Sequence, residues 1–180
     1  MNWTEYFNYE PETGILIWKE RPRQHFNTQA GQRRFNTRFV GKEAGCKRWR
    51  RGGKPHQKTV NVFNGEKNQW FTAHVIVWEM HNGPKPPDFE IDHVDCDPFN
   101  NRLSNLRLST ASQNHANTRL MSTNKSGYKG VSVDASGRWR ARITVCGTEV
   151  CKTGFDAPED AHAFYKTLAQ KHFGEYARTD

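Results

Sequence analysis

Apolar positions in this chain come in short, well-separated bursts rather than long runs. Near the start, an aromatic-rich stretch, WTEYFNYEPETGILIW, breaks at ETG, which reads as a turn, and resumes as ILIW, a short strand. Over 19–58 apolar material is thin. Phe35, Phe39 and Val40 stand among glycines and basic residues, and the pattern predicts a loop-rich arm or an irregular sheet. TVNVF at 59–63 alternates as a half-buried strand does, and NGEKN turns the chain. In WFTAHVIVWEMHNG, residues Ala73, Val77 and Met80, with Ile76 beside them, repeat at helical spacing, and Gly83-Pro84 closes that helix.

Prolines at 84, 86 and 87 force an extended entry into FEIDHVD, where Phe89, Ile91 and Val94 predict a short strand. A turn at Asp97-Pro98 and a loop at Asn100-Asn101 lead to a second short strand anchored by Leu103, Leu106 and Leu108. Ser109 or Thr110 then opens a helix that carries Ser112, Gln113, Asn114 and Asn117. STNKSG at 122–127 marks a boundary. Beyond it YKGVSVD, RWRARITV and TEVCKTGFD read as three short strands, with turns at Ala135–Gly137 and near Gly147. Residues 158–174 read as an amphipathic helix with Pro158 in its first turn and Ala161, Phe164, Tyr165, Leu168 and Phe173 on one face. The fold class is therefore α+β, with segments 1–58 (a β-rich basic extension), 59–121 (a small core) and 122–180 (a three-stranded sheet on one helix).

The 180 residues are 34% hydrophobic and 12% aromatic, too rich in large apolar side chains for a disordered chain yet enough only for modest cores. No apolar run is long enough to span a membrane, and the first residues do not resemble a secretory signal, so a cytoplasmic setting is expected. The four cysteines form no CxxC pair, which argues against structural zinc. Free thiols suit a reducing compartment; a Cys146–Cys151 disulfide across a hairpin is the alternative. Charge changes the picture more. The net charge is +8, and residues 19–58 alone hold thirteen Lys or Arg against two acids, whereas 59–118 hold four against seven. A basic stripe beside an acidic patch suits a protein that grips phosphate and does metal chemistry on it; the plainer reading is solubility.

Asp92 and His93 are the residues best suited to such chemistry. A carboxylate is a ligand for a hard cation, while an imidazole titrates near neutrality and can take a proton from a water aimed at phosphorus. On a strand the two point to opposite faces, which favours a division of labour over joint chelation. Asn114 offers a second hard oxygen, and Asn105 reads as a loop brace; Asn100 and Asn101 read as turn formers able to touch phosphate. Arg48, Arg50 and Arg51 in KRWRRGGK are placed to grip a DNA backbone, and Trp49 to stack or pack.

The stretch IDHVDCDPFNNRLSNLRLSTASQNHANTR resembles the HNH nuclease motif of phage and intron homing endonucleases, in the pattern DHxDxxxxNNxxxNLRxxTxxxN. The resemblance implies a ββα-metal core acting on double-stranded DNA with a single Mg²⁺, for which Mn²⁺ can substitute. It puts the metal ligands on Asp92 and Asn114, the general base on His93, and a catalytic bracing role on Asn105. It leaves open whether one strand or both are cut, and with that whether the protein works as a monomer or a dimer. His115 is adjacent to Asn114 and faces elsewhere; it contacts a phosphate or is solvated. His74 resembles a histidine found upstream of this motif and is assigned to packing. Cys96 stands where the family often has glycine. A phage-encoded protein acting in its host cell is implied.

The last segment, SGYKGVSVDASGRWRARITVCGTEVCKTGFDAPEDAHAFYKTLAQKHFGEYART, resembles an AP2/ERF DNA-binding domain. That family lays its sheet in the major groove, which makes Lys129, Ser132, Arg138, Arg140, Arg142, Thr144 and Lys152 the candidates for a DNA face. Arg138, Arg140 and Arg142 share a face by two-residue period, with Trp139, Ala141 and Ile143 turned to the helix. Three readings follow: a metal-dependent DNA endonuclease with a reader module, a DNA-binding regulator with a degenerate nuclease core, and a structural nucleoprotein. The presence of Asp92, His93, Asn105 and Asn114 together favours the first.

Overall fold

The computed structural model describes residues 1–53 and 55–180, so Lys54 of the basic arm lies outside the described residues. Contacts divide the chain into two compact units, 1–108 and 109–180. The N-terminal extension and the strand carrying Asp92 and His93 thus share one unit.

In the first unit, β1 (Phe7–Glu10) and β2 (Ile15–Trp18) form an antiparallel hairpin, with Phe7 opposite Trp18. β3 (Cys46–Trp49), β4 (Pro55–Phe63) and β5 (Asn68–Thr72) form a three-stranded antiparallel sheet. Helix α2 (Ala73–Asn82) follows β5 directly and ends at Gly83, while β6 (Glu90–His93) pairs with β7 (Leu106–Ser109). One core joins these pieces: Phe7, Leu16 and Trp18 from the hairpin, Val60 and Val62 from the sheet, Ile76 and Val77 from α2, and Ile91 and Leu106 from the β6–β7 pair.

The arm expected to be loop or irregular sheet also contains a helix, α1 (Gln29–Phe39). Thr28 caps it by accepting a hydrogen bond from the Gly31 backbone at 3.0 Å. Only Phe35 and Phe39 carry an apolar signal at i, i+4 spacing, and none of the helix is buried, so hydrophobic periodicity had little to report.

The second unit begins around α3 (Ala111–Ala116). Thr110 closes a capping box there, accepting from the Gln113 backbone while the Gln113 side chain accepts from the Thr110 N–H. β8 (Val131–Val133), β9 (Trp139–Val145) and β10 (Thr148–Phe155) form an antiparallel sheet with β9 central, packed against α4 (Pro158–Phe173). Val131, Ala141 and Ile143 meet Ala161, Tyr165, Ala169 and Phe173. The buried helix face is therefore turned slightly from expectation: His162 and Ala169 are buried, whereas Phe164 and Leu168 are only half-buried. Gly130 has φ +71°, and a Cβ there would lie 2.2 Å from the Tyr165 ring, so only glycine lets β8 approach the helix this closely. All four cysteines are free thiols. Among the described residues no helix is long and apolar enough to cross a membrane.

Candidate active site

β6 holds Ile91, Asp92 and His93 as three successive buried residues. Burying a carboxylate or an imidazole requires specific partners, and the two side chains have different ones. Asp92 Oδ2 accepts from both Nε and Nη2 of Arg107 on β7, each at 3.0 Å. Arg107 therefore neutralises and orients the buried carboxylate. It lies inside the NLR segment of the motif, yet its partner depends on β6–β7 pairing and could not be named from spacing.

His93 Nε2 lies 3.0 Å from Oδ1 of Asn101, and Asn101 is only 1% exposed. A carbonyl oxygen only accepts, so the pair suits the tautomer that carries its hydrogen on Nε2. The His74 ring meets the His93 ring edge-to-face with centroids 5.0 Å apart. Burial above all, and then the proximity of His93, push the His74 pKa down to about 3, so His74 stays neutral beside the candidate base. Asn101 was expected to be a turn former; it is instead the buried partner of His93.

The loop after β6 is closed by its own polar groups. Asn105 accepts from the Asp95 backbone at 3.1 Å and donates to Asp95 Oδ1 and to the Asn100 carbonyl, both at 2.9 Å. Asn100 donates to Asp95 Oδ2 at 2.7 Å. Burial pushes the Asp95 carboxyl upward. Hydrogen bonds from the Asp97 backbone, Asn100 and Asn105, with His93 nearby, outweigh it and hold the pKa below the ordinary value. Asn105 thus has the bracing geometry expected of it. Cys96 adopts φ +57°, the left-handed region where glycine is at ease.

The β1–β2 hairpin supports this loop from outside. The Tyr9 hydroxyl accepts from the Leu103 N–H at 2.7 Å, and Arg102 Nε donates to the Glu12 carbonyl at 2.6 Å. At the hairpin turn a Cβ on Gly14 would lie 2.5 Å from the Arg102 nitrogen. The N-terminal segment is therefore a buttress for Asn101, a role carried by contacts some ninety residues apart in sequence.

Asn114 lies half-buried on α3 in the second unit, with His115 exposed beside it. Among the described residues no three His, Cys, Asp or Glu side chains gather in a metal-holding cluster. Within the first unit the Asp92 carboxylate is a hard oxygen donor of the kind that suits a divalent cation keeping most of its waters.

The candidate DNA contacts are differently placed. Arg48, Arg50 and Arg51 are exposed on the first unit. Arg48 donates from Nε to Thr59 Oγ1 at 3.1 Å, and Arg50 from Nε to His56 Nδ1 at 3.3 Å. In the second unit Arg142 is exposed and Arg140 half-buried, with Ala141 and Ile143 turned inward between and beyond them. Arg140 Nε donates to Ser132 Oγ at 2.9 Å, and Arg142 lies 3.5 Å from Glu149. Arg138 precedes β9 and binds the Gly154 carbonyl and Asp156, which holds the end of β10. Lys152 stands opposite Ala141 in the register, on the helix-facing side, with its ammonium 4.8 Å from the Phe164 ring centroid. Alternation thus separates Lys152 from the arginine face. Lys129 donates to the Ala116 and Thr118 carbonyls, both at 2.6 Å, tying down the end of α3.

The HNH endonuclease family model matches residues 71–116, a span that contains His74, Asp92, His93, Asn101, Asn105, Arg107 and Asn114. Protein 3.8 of Escherichia phage T7 is 37% identical over 106 residues, 58% of this chain and 87% of the phage protein. An uncharacterized HNH endonuclease of Acanthamoeba polyphaga mimivirus is 34% identical over 95 residues, 53% of this chain and 49% of that protein. A solved structure described as DNA binding and cleavage by the HNH homing endonuclease I-HmuI covers 92% of this chain and 84% of its own at 18% identity, with a TM-score of 0.40, a likeness that adds no argument. The chain belongs to the family of T7 protein 3.8 and carries an HNH endonuclease domain.

Proposed function

We propose that this protein is a metal-dependent DNA endonuclease in which His93 is the general base. The observation that carries the reading is the buried His93–Asn101 pair, with Asn101 Oδ1 3.0 Å from Nε2. Asn101 keeps the hydrogen on Nε2, so Nδ1 is the atom that takes a proton from water as the water attacks phosphorus. The P–O bond to the leaving strand end then breaks. Arg107 holds the Asp92 carboxylate in a fixed orientation, and Asn105 holds the loop that carries Asn101.

Asp92 is the carboxylate that would hold the ion, Mg²⁺ or Mn²⁺, and Asn114 is the second ligand by the motif. When bound, the ion would supply positive charge at a phosphoryl oxygen. Double-stranded DNA is the substrate. Arg48, Arg50 and Arg51 grip phosphates, and the segment 122–180, whose sequence resembles an AP2/ERF domain, presents Arg140 and Arg142 to DNA; Arg138, Lys129 and Lys152 support that segment's structure.

The test is incubation of supercoiled DNA with protein and Mg²⁺, repeated with EDTA and with His93→Ala. The expected result is cleavage that both changes abolish; relaxed circles would show nicking and linear molecules double-strand cleavage. Cleavage that survives His93→Ala overturns the base assignment. No cleavage of DNA that carries a bound site favours a DNA-binding regulator.

A further inference from the structure

No residue of α1 is fully buried; Phe35 and Phe39 pack half-buried against the core of the first unit, and Gln32 and Asn36 hydrogen-bond to Arg21. Two cavities of about 400 and 480 Å³ lie beside the helix, sharing Phe35, Phe39, Phe63 and Asn68 as walls. Both are the size of small-molecule sites, about 300–1,000 Å³. Trp18 and Trp70 complete the aromatic lining of the smaller one, where Thr59 and Asn61 supply polar groups.

Three features define what this groove takes. First, its rim is cationic. Arg34 lines the larger cavity, Arg38 is exposed with its guanidinium 5.2 Å from the Phe39 ring centroid, and the Arg48 guanidinium sits 4.6 Å from that of Trp70. α1 contains no acid, and among the described residues the one acid lining either cavity, Glu43, is paired with Lys58. Second, Trp70 is 57% exposed on the outer face of β5, with Arg48 beside its ring. Third, Arg21 lines the smaller cavity while wholly out of solvent. Its guanidinium is enclosed by the Tyr6, Phe26 and Phe35 rings, and its Nη1 has no hydrogen-bond partner. Burial lowers its pKa, which marks the cost of a cation there. Water screens such a charge poorly, so it favours electron-rich groups in the cavity.

We infer that the groove between α1 and the β3–β5 sheet binds unpaired DNA, with a base stacked on Trp70 and phosphates held by Arg34, Arg38 and Arg48. Aromatic faces can engage only bases released from the duplex stack, and a flanking positive rim tracks the backbone. A second copy of this chain, at net charge +8, is a poor occupant. The substrate class is then DNA with a single-stranded segment near the cut, such as a branch, flap or bubble. The inference draws on the endonuclease reading for the choice of DNA as partner, but binding can be measured without cleavage.

The experiment is fluorescence anisotropy in EDTA with labelled twelve-nucleotide oligothymidine, the same oligomer with abasic sites, and a blunt hairpin duplex. Trp70→Ala should weaken oligothymidine binding about tenfold while duplex affinity stays within about twofold, because stacking needs an accessible base. Trp70→Phe should restore most of the loss, and abasic sites should reduce the wild-type protein to the Trp70→Ala level. Equal binding of oligothymidine by wild type and Trp70→Ala, or equal weakening on both DNAs, overturns the inference. So does a Trp70-dependent dimer in sedimentation, or displacement of the oligomer by polyglutamate through Trp70. Should all DNA remain uncut while this discrimination holds, the endonuclease reading falls and the groove assignment stands.

Discussion

Replacing Asn101 by Ala isolates the bond on which the catalytic reading depends. Asn101 is 1% exposed, and its Oδ1 lies 3.0 Å from His93 Nε2. The substitution leaves a buried N–H without its acceptor, which costs about 1–3 kcal/mol. Part of that appears as lost stability, measurable from urea unfolding midpoints. The rest appears at the catalytic step, because the ring no longer favours the form with its lone pair on Nδ1. The whole penalty would correspond to about a 5- to 150-fold fall in rate, at about 1.4 kcal/mol per factor of ten, so the fall in rate is at most that large. The assay is single-turnover cleavage of supercoiled DNA at saturating protein, so binding does not enter. Asn101→Asp keeps an acceptor and should retain more activity than Asn101→Ala. Lost stability with an unchanged cleavage rate would refute the reasoning and reduce Asn101 to a packing residue.

Three further outcomes follow from the same geometry. Arg107→Met removes the cation from a 5%-exposed carboxylate and should destabilise the protein by about 3–5 kcal/mol, read by thermal or urea unfolding; a change under about 0.5 kcal/mol would rule out the pairing. His74 is held neutral with its pKa lowered from 6.5 to about 3, so below pH 6.5 the unfolded chain binds a proton that the folded protein does not. Its contribution is therefore full above pH 6.5 and is lost at about 1.4 kcal/mol per pH unit as pH falls toward 3, a slope that His74→Leu should remove from unfolding measured between pH 7 and 5. Lys129→Met should lower stability and leave the salt dependence of DNA binding intact, whereas Arg142→Ala should reduce the slope of log K against log salt by about one; the reverse pattern would exchange their roles.

What local pattern could say, it said well for the second unit and for α2. The three strands β8, β9 and β10, the helix from Pro158 and the helix start at Ser109 or Thr110 all depend on neighbours within a few residues, where two- and 3.6-residue periods and cap chemistry are legible. The motif also put Asp92, His93, Asn105 and Asn114 on the page together. α1 escaped because only Phe35 and Phe39 mark its inner face among basic and polar residues, which reads equally as an irregular arm. Lys152 escaped because which face a strand residue occupies depends on register, and the register shifts between Lys152 and Phe155.

The partners within the site belong to tertiary structure alone. Asn101 reads as one more turn asparagine until its loop folds back over His93, and Arg107 reads as one more cation until β7 pairs with β6. Tyr9 and Gly14 brace the loop after His93 from some ninety residues away. Side-chain type constrains which hydrogen bonds are possible, but burial makes them obligatory, and burial is a property of the assembled core. The sequence by itself determined which chemical groups this protein carries and roughly which elements carry them. Only the packed structure decided which residues surround His93 and hold it in place, because burial is set by the assembled core.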